Sequence, residues 1–173
     1  HLAKRPTGGG IVFHLCDLAF SVIIPASHRY FSQDTLQNYA FVNSFVIEVV
    51  NVFFGKNAKA DILPYNALAM DKSSGHFCMA RPTKYDVMVD GRKVGGAAQR
   101  KTRQGFLHQG TISVGMLPKD FLEDLLFPGT MVFEAIQKNS YSLIGHDWTS
   151  TQLFKAREEV QKLLVQSFLG DLV

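Results

Sequence analysis

At 173 residues, with 46% apolar and 19% charged side chains, the chain is sized for one globular domain with a buried core. A formal charge of +3 is too mild for an extended nucleic-acid surface, and Asn43, Ser44, Glu48 and Asn51 break the densest apolar stretch well short of the roughly 18 residues a membrane span needs. Two cysteines, Cys16 and Cys78, make no disulfide framework and no charged-then-apolar leader precedes them, so reduced thiols in a cytoplasmic protein are expected.

Residues 1–10 carry no helix or strand pattern and run straight into Gly8-Gly9-Gly10. A single domain over residues 1–173 is expected, with an N-terminal piece of it lying outside the sequence. Residues 11–14 and 18–25 hold β-branched and aromatic side chains between Gly and Pro, and read as two strands paired through the short Leu15-Cys16-Asp17 link. From Ser32, the expected N-cap, apolar residues recur at Leu36, Tyr39, Val42, Phe45, Val46, Val49, Val50 and Phe53 until Gly55. This spacing predicts a central buried helix.

Further along, residues 85–89 alternate as a strand, Asp90-Gly91 makes a hairpin turn, and residues 92–98 return as the second arm. Residues 106–114 give another strand. Pro118 opens a short helix through Phe127, and residues 149–169 form a longer one with Leu153, Ala156, Val160, Leu163 and Leu164 on one face. Strands with helices packed around them predict an α+β domain. Arg92, Lys93, Arg100, Lys101 and Arg103 concentrate positive charge around the hairpin. They suit an acidic partner, such as a small carrier protein or a phosphate-bearing donor, and equally a solvated hairpin rim.

Three segments hold chemistry-bearing residues. Lys4-Arg5-Pro6-Thr7-Gly8-Gly9-Gly10 sets side-chain-free backbone beside a guanidinium, which fits phosphate or carbonyl oxygens or a plain flexible turn. Lys93 stands beside Gly95-Gly96, placed to grip a carbonyl or phosphate oxygen, or to serve as an edge-strand lysine that blocks aggregation. Cys78, within His76-Phe77-Cys78-Met79-Ala80-Arg81-Pro82, reads as packing unless a cation lies near the sulfur, in which case it is a nucleophile able to form a thioester. Cys16 reads as packing. His1, His14, His28, His76, His108 and His146 show no metal-ligand spacing, so no metal is expected, and there is no G-x-S-x-G elbow for a serine hydrolase.

In order, these segments resemble one family. Arg5-Pro6-Thr7-Gly8-Gly9-Gly10-Ile11-Val12-Phe13-His14 is similar to the R-x-T-G-G-G-x-V-x-H signature of lipoate-protein ligases and octanoyltransferases. The stretch from Asp86 to Gln99 resembles their D-x-x-V-x-G-R-K-x-x-G-x-A-Q hairpin, and Phe106-Leu107-His108-Gln109-Gly110-Thr111-Ile112 their L-Q-H-G-S/T-I strand. The resemblance implies a mixed β-sheet flanked by helices, as in biotin/lipoyl protein ligase catalytic domains, with the acyl chain between the triple-glycine loop and the lysine hairpin. It places Arg5, Gly8, Gly9, Gly10 and His14 on the head-group side. Lys93 would meet the acyl carbonyl or acyl phosphate, with Gly95, Gly96, Gln99, His108, Gly110 and Thr111 completing the acyl and nucleotide site. Because the family's Q-H order stands here as His108-Gln109, the histidine is expected to act from a shifted direction or not at all.

Cys78-Met79-Ala80-Arg81-Pro82-Thr83-Lys84-Tyr85-Asp86 fits the C-x-x-x-P-x-x-Y-[DE] context of one octanoyltransferase subgroup, which raises Cys78 from packing to nucleophile. The resemblance then implies transfer of an octanoyl or lipoyl group from an acyl carrier protein through a Cys78 thioester. The acceptors are lysines of lipoyl-domain proteins, the E2 subunits of 2-oxoacid dehydrogenases and the H protein of glycine cleavage. No tightly bound cofactor is expected. The alternatives are a ligase that uses ATP and Mg to make lipoyl-AMP in the same pocket, and a non-catalytic module that binds lipoyl domains. The short stretch after Gly115 leaves little room for a ligase accessory domain, and the G-R-G-R-x-G-R loop of biotin ligases is missing.

Overall fold

A computed structural model of the protein describes residues 1–55, 59–68 and 72–172. Strands β1 (Asp17–Pro25), β2 (Asp61–Ile62), β3 (Val87–Val89), β4 (Arg92–Thr102) and β5 (Gly105–Ser113) form one sheet in the order β1-β5-β4-β3-β2. Every neighbouring pair is antiparallel. Among the described residues, parallel pairing is confined to two isolated bridges, Ile11 to Phe77 outside the five strands and Lys93 of β4 to Ser140. Around it lie α1 (Thr35–Phe53), α2 (Lys119–Leu125), α3 (Val132–Asn139) and α4 (Ser150–Leu172), giving the α+β class that the pattern predicts.

The period-2 geometry of β5 sorts its side chains onto two faces. Phe106 joins Val42 of α1 in one buried cluster, and Ile112 joins Val46, Val49, Val50 and, from α4, Val160 and Leu164 in another. This is the helix-covered face. Full burial of each such Val or Ile contributes about 1.5–3 kcal/mol, which holds α1 and α4 on the sheet. The opposite face carries Gln109, Thr111 and Ser113, polar residues that bond to Thr7, Asp17 and Ser142. It is covered only in part, by the N-terminal loop and the end of α3.

Two local expectations need correction. Residues 11–14 form no strand beside residues 18–25. Ile11 instead spends its backbone groups on the 76–78 segment, and β1 pairs along its whole length with β5, from Asp17 opposite Ser113 to Pro25 opposite Gly105. The N-cap of α1 is Asp34 rather than Ser32: the Asp34 carboxylate accepts the Leu36 N–H at 2.9 Å, and the Ser32 hydroxyl supports the Asp34 N–H from two residues earlier. Helix α4 opens on a capping box in which Thr149 Oγ1 accepts the Gln152 N–H and Gln152 Oε1 accepts the Thr149 N–H. Among the described residues no helix is long and apolar enough to cross a membrane.

Candidate active site

The two parallel bridges build the site. At the first, the Ile11 N–H donates to the His76 carbonyl at 2.8 Å and the Cys78 N–H donates to the Ile11 carbonyl at 2.9 Å, clamping the triple-glycine loop to the cysteine segment. Contact is so close that a Cβ at Gly10 would stand 2.4 Å from the His76 oxygen and 3.2 Å from Cys78 Sγ. Only glycine fits there. Arg5 folds back over the loop, its guanidinium 3.3 Å from the Gly10 carbonyl and 3.6 Å from Cys78 Sγ. A cation therefore stands beside the sulfur, supplied by the loop and not by the lysine hairpin.

At the second bridge, the Tyr141 N–H donates to the Lys93 carbonyl, and Lys93 enters the sheet interior with only 3% of its surface exposed. Its Nζ makes a 2.8 Å ion pair with Asp86 Oδ2 and donates to the Cys78 carbonyl oxygen at 2.8 Å. The same Asp86 oxygen accepts the Thr83 N–H at 2.6 Å and its hydroxyl at 3.0 Å. An ammonium has three protons, and these two partners take two of them. The side chain lies over Gly96, where a Cβ would stand 2.4 Å from Lys93 Cε and 2.6 Å from Nζ. Tyr85, held at φ 75° with its carbonyl accepting from Asn43 Nδ2 at 2.6 Å, makes the turn that presents Asp86.

Beside this cluster a trough of about 250 Å³ runs over the part of that sheet face left open, lined by Arg5, Val12, His14, Ala19, Gln109 and Thr111 among others. His14 Nδ1 lies 2.7 Å from Asp17 Oδ2, the oxygen that also accepts the Thr111 hydroxyl. Among the described residues no group of three His, Cys, Asp or Glu side chains is placed to hold a metal ion.

Arg5, Gly9, Gly10, Cys78, Lys93 and Gly96 thus converge on one face, and His14 and Thr111 line the adjoining trough. Gly8 turns the loop at φ 74° with open space where a Cβ would stand, and Gly110 adds backbone to the trough while the Phe20 ring covers its other side.

Gly95, Gln99 and His108 belong to the opposite face. Gly95 lets Val46 of α1 approach the sheet, with a Cβ there standing 3.2 Å from Val46 Cγ1. Gln99 Nε2 lies 2.8 Å from His108 Nδ1, and the Gln99 N–H donates to Tyr39 Oη. His108 is fully buried between Phe20 and Tyr39, and burial pushes its imidazole down to about 3, so it stays neutral. The inverted His-Gln order explains this: one step along a strand reverses the face, sending the imidazole to the helices and the Gln109 amide to the site. There Gln109 Oε1 accepts the Thr7 hydroxyl at 3.0 Å and steadies the glycine loop.

Asp86, Thr83, Asp17, Thr7 and Gln109 complete the arrangement and were not singled out by sequence as site residues. Asp86 could have been found from its place in the quoted cysteine motif, and Asp17 from its spacing three residues after His14. Cys16 is 2% exposed among apolar neighbours, and burial raises its thiol to about 11.

Comparison with known proteins adds the family. The model for the biotin/lipoate A/B protein ligase family matches residues 1–116. An octanoyltransferase LipM from Halalkalibacterium halodurans is 30% identical over 142 residues, covering 79% of this chain and 50% of that protein. The octanoyltransferase LipM of Bacillus subtilis is 28% identical over 138 residues, covering 79% and 49%. The chain spans about half the length of these curated relatives. Among solved structures, a lipoate-protein ligase A bound with ATP superposes with a TM-score of 0.67 at 23% identity, over 99% of this chain and 58% of that one. A bi-partite lipoate protein ligase from Thermoplasma acidophilum, from a structural analysis of the ligase and its E2 lipoyl domain, gives 0.64 at 22% identity, over 99% and 57%. At these identities the superpositions establish a shared fold.

Proposed function

The chain belongs to the biotin/lipoate A/B protein ligase family, and for it we propose the transfer of an octanoyl or lipoyl group to a lysine of lipoyl-domain proteins through a thioester on Cys78. The observation that carries this reading is the convergence of Arg5, Lys93 and the glycine loop on one cysteine, with Arg5 3.6 Å from its sulfur and Lys93 2.8 Å from its carbonyl oxygen.

The acyl chain of a carrier-protein thioester lies in the trough beside Arg5. Cys78 Sγ attacks the acyl carbonyl, with the Arg5 guanidinium balancing the charge on sulfur and the remaining N–H of Lys93 directed at the carbonyl oxygen. The carrier leaves as its thiolate, and the amine of a lysine on an E2 lipoyl domain or an H protein then displaces Cys78. Asp86 keeps the Lys93 ammonium in place.

A second reading is favoured by the fold shared with a lipoate-protein ligase A bound with ATP. In it, ATP and Mg activate free lipoate in the same pocket, Lys93 and Arg5 meet the acyl phosphate, and Cys78 takes no part. Transfer to a lipoyl domain is assayed with octanoyl carrier protein and, separately, with lipoate plus ATP and Mg. Transfer from the carrier that disappears in Cys78→Ala supports the thioester route. Transfer from lipoate with pyrophosphate release that survives in Cys78→Ala establishes the ligase route instead. Binding of the lipoyl domain without transfer from any donor overturns both.

A further inference from the structure

We propose that His14 is the base that takes the proton from the incoming lysine amine, with Asp17 and Thr111 as positioning residues; the assignment rests on the thioester reading above. Aminolysis needs an acceptor for the proton that nitrogen sheds as it bonds to carbon. Lys93 does not offer one while its Nζ serves as donor to Asp86 and to the Cys78 carbonyl, since an ammonium has no lone pair. His108 is buried on the far face of the sheet. Of the side chains lining the trough, which include Arg5, Ser21, Gln109 and Thr111, only His14 has a nitrogen lone pair able to take a proton, since the Arg5 guanidinium is already fully protonated.

The ring is held for this task. A carboxylate only accepts hydrogen bonds, so the 2.7 Å contact with Asp17 Oδ2 places the proton of a neutral imidazole on Nδ1 and leaves the Nε2 lone pair free. Nε2 takes no hydrogen-bond partner among the described residues. Asp17 is fixed in turn. Thr111 Oγ1 donates to the same carboxylate oxygen, and Arg157 of α4 donates to the main-chain carbonyls of Asp17, at 2.9 Å, and of Leu15. The Asp17 side chain is 12% exposed, whereas that of His14 is 54% exposed, so the carboxylate is sheltered and the ring opens to where a partner's lysine would arrive.

The step balances as follows. The neutral amine attacks the carbonyl carbon of the Cys78 thioester and the N–C bond forms. The C–S bond breaks, leaving its electron pair on Sγ, and the proton lost by nitrogen moves to His14 Nε2. The imidazolium then releases that proton to solvent, restoring the neutral ring, and Sγ is left as the thiolate beside the Arg5 guanidinium.

The test is read on enzyme already acylated by octanoyl carrier protein and freed of excess donor, so that the rate of loading does not enter. The thioester is cleaved by a lipoyl domain in one arm and in the other by hydroxylamine, a small nucleophile that is neutral near pH 7 and needs little help from a base. In His14→Ala and His14→Gln the ratio of the lipoyl-domain rate to the hydroxylamine rate is expected to fall by about 100-fold or more. Asp17→Asn is expected to lower the same ratio by a smaller factor, and Asp17→Glu to recover part of it. A ratio unchanged in both His14 variants, or both rates falling together, overturns the assignment. Failure of the unaltered chain to load Cys78 overturns the thioester reading, and this assignment with it.

Discussion

Lys93 Nζ and the main-chain carbonyl oxygen of Cys78 lie 2.8 Å apart, so the ammonium is tied to the backbone that carries the thiol. The bond has a buried counterpart, Asp86 at 2.8 Å, and the two side chains are 4% and 5% exposed. A buried pair of this kind is weak evidence for stability, but loss of one partner strands the other.

Asp86→Ala is therefore expected to destabilise the fold by about 3–5 kcal/mol in urea unfolding, because it leaves an unpaired ammonium in the interior. The double variant Asp86→Ala, Lys93→Met should recover part of the loss by removing the stranded charge. A loss below about 1 kcal/mol in the single variant would show that the charge finds compensation elsewhere.

Gly96→Ala puts a methyl group 2.4 Å from Lys93 Cε. The end of the lysine is flexible and can move, so the expected outcome is a folded protein in which Nζ has left the Cys78 carbonyl. Transfer activity should fall at least tenfold with the far-ultraviolet circular dichroism unchanged. Full activity in a folded variant would contradict the placement of Nζ at the reaction centre.

How far these relationships were legible differs by element. The spacing from Leu36 to Phe53 and the Asp90-Gly91 turn announced α1 and the β3–β4 hairpin, because burial of one helix face and a tight turn impose local patterns. Residues 11–14 have strand composition, yet their partner is the 76–78 segment, and composition does not name a partner. Helix α3 leaves only a faint trace in the sequence because eight residues, with Val132, Ala135 and Ile136 buried, give little more than one apolar contact per turn. The motif residues drew attention to Arg5, Cys78 and Lys93, whereas the sorting of Gln99, His108 and Gly95 onto the helix face follows from strand register, which became visible only with the pairing of β4 and β5.

The two cysteines should separate by reactivity. Cys16 is buried with its thiol raised to about 11, while Cys78 is partly exposed. Near pH 8, iodoacetamide is expected to label Cys78 and leave Cys16 unmodified in the folded protein, as read by peptide mass mapping. Equal labelling would contradict the packing of Cys16.

His108 supplies an acid-sensitive contribution. Its native value of about 3 lies below the ordinary 6.5, so the unfolded chain binds the proton first as pH falls. Stability is fully present above 6.5 and is lost progressively as pH falls toward 3. Between about pH 8 and about pH 5 the protein is expected to lose about 2 kcal/mol more than His108→Phe, which keeps a ring beside Phe20 but cannot titrate. Parallel pH profiles for the two in urea unfolding would contradict the burial of a neutral imidazole.

The most direct measurement of the central claim is the intact mass of the protein after brief incubation with octanoyl carrier protein, followed by peptide mapping. One added octanoyl group is expected, located on Cys78, released by hydroxylamine and absent from Cys78→Ser. An unmodified chain that still transfers octanoate to a lipoyl domain, or an adduct on any other residue, would contradict it.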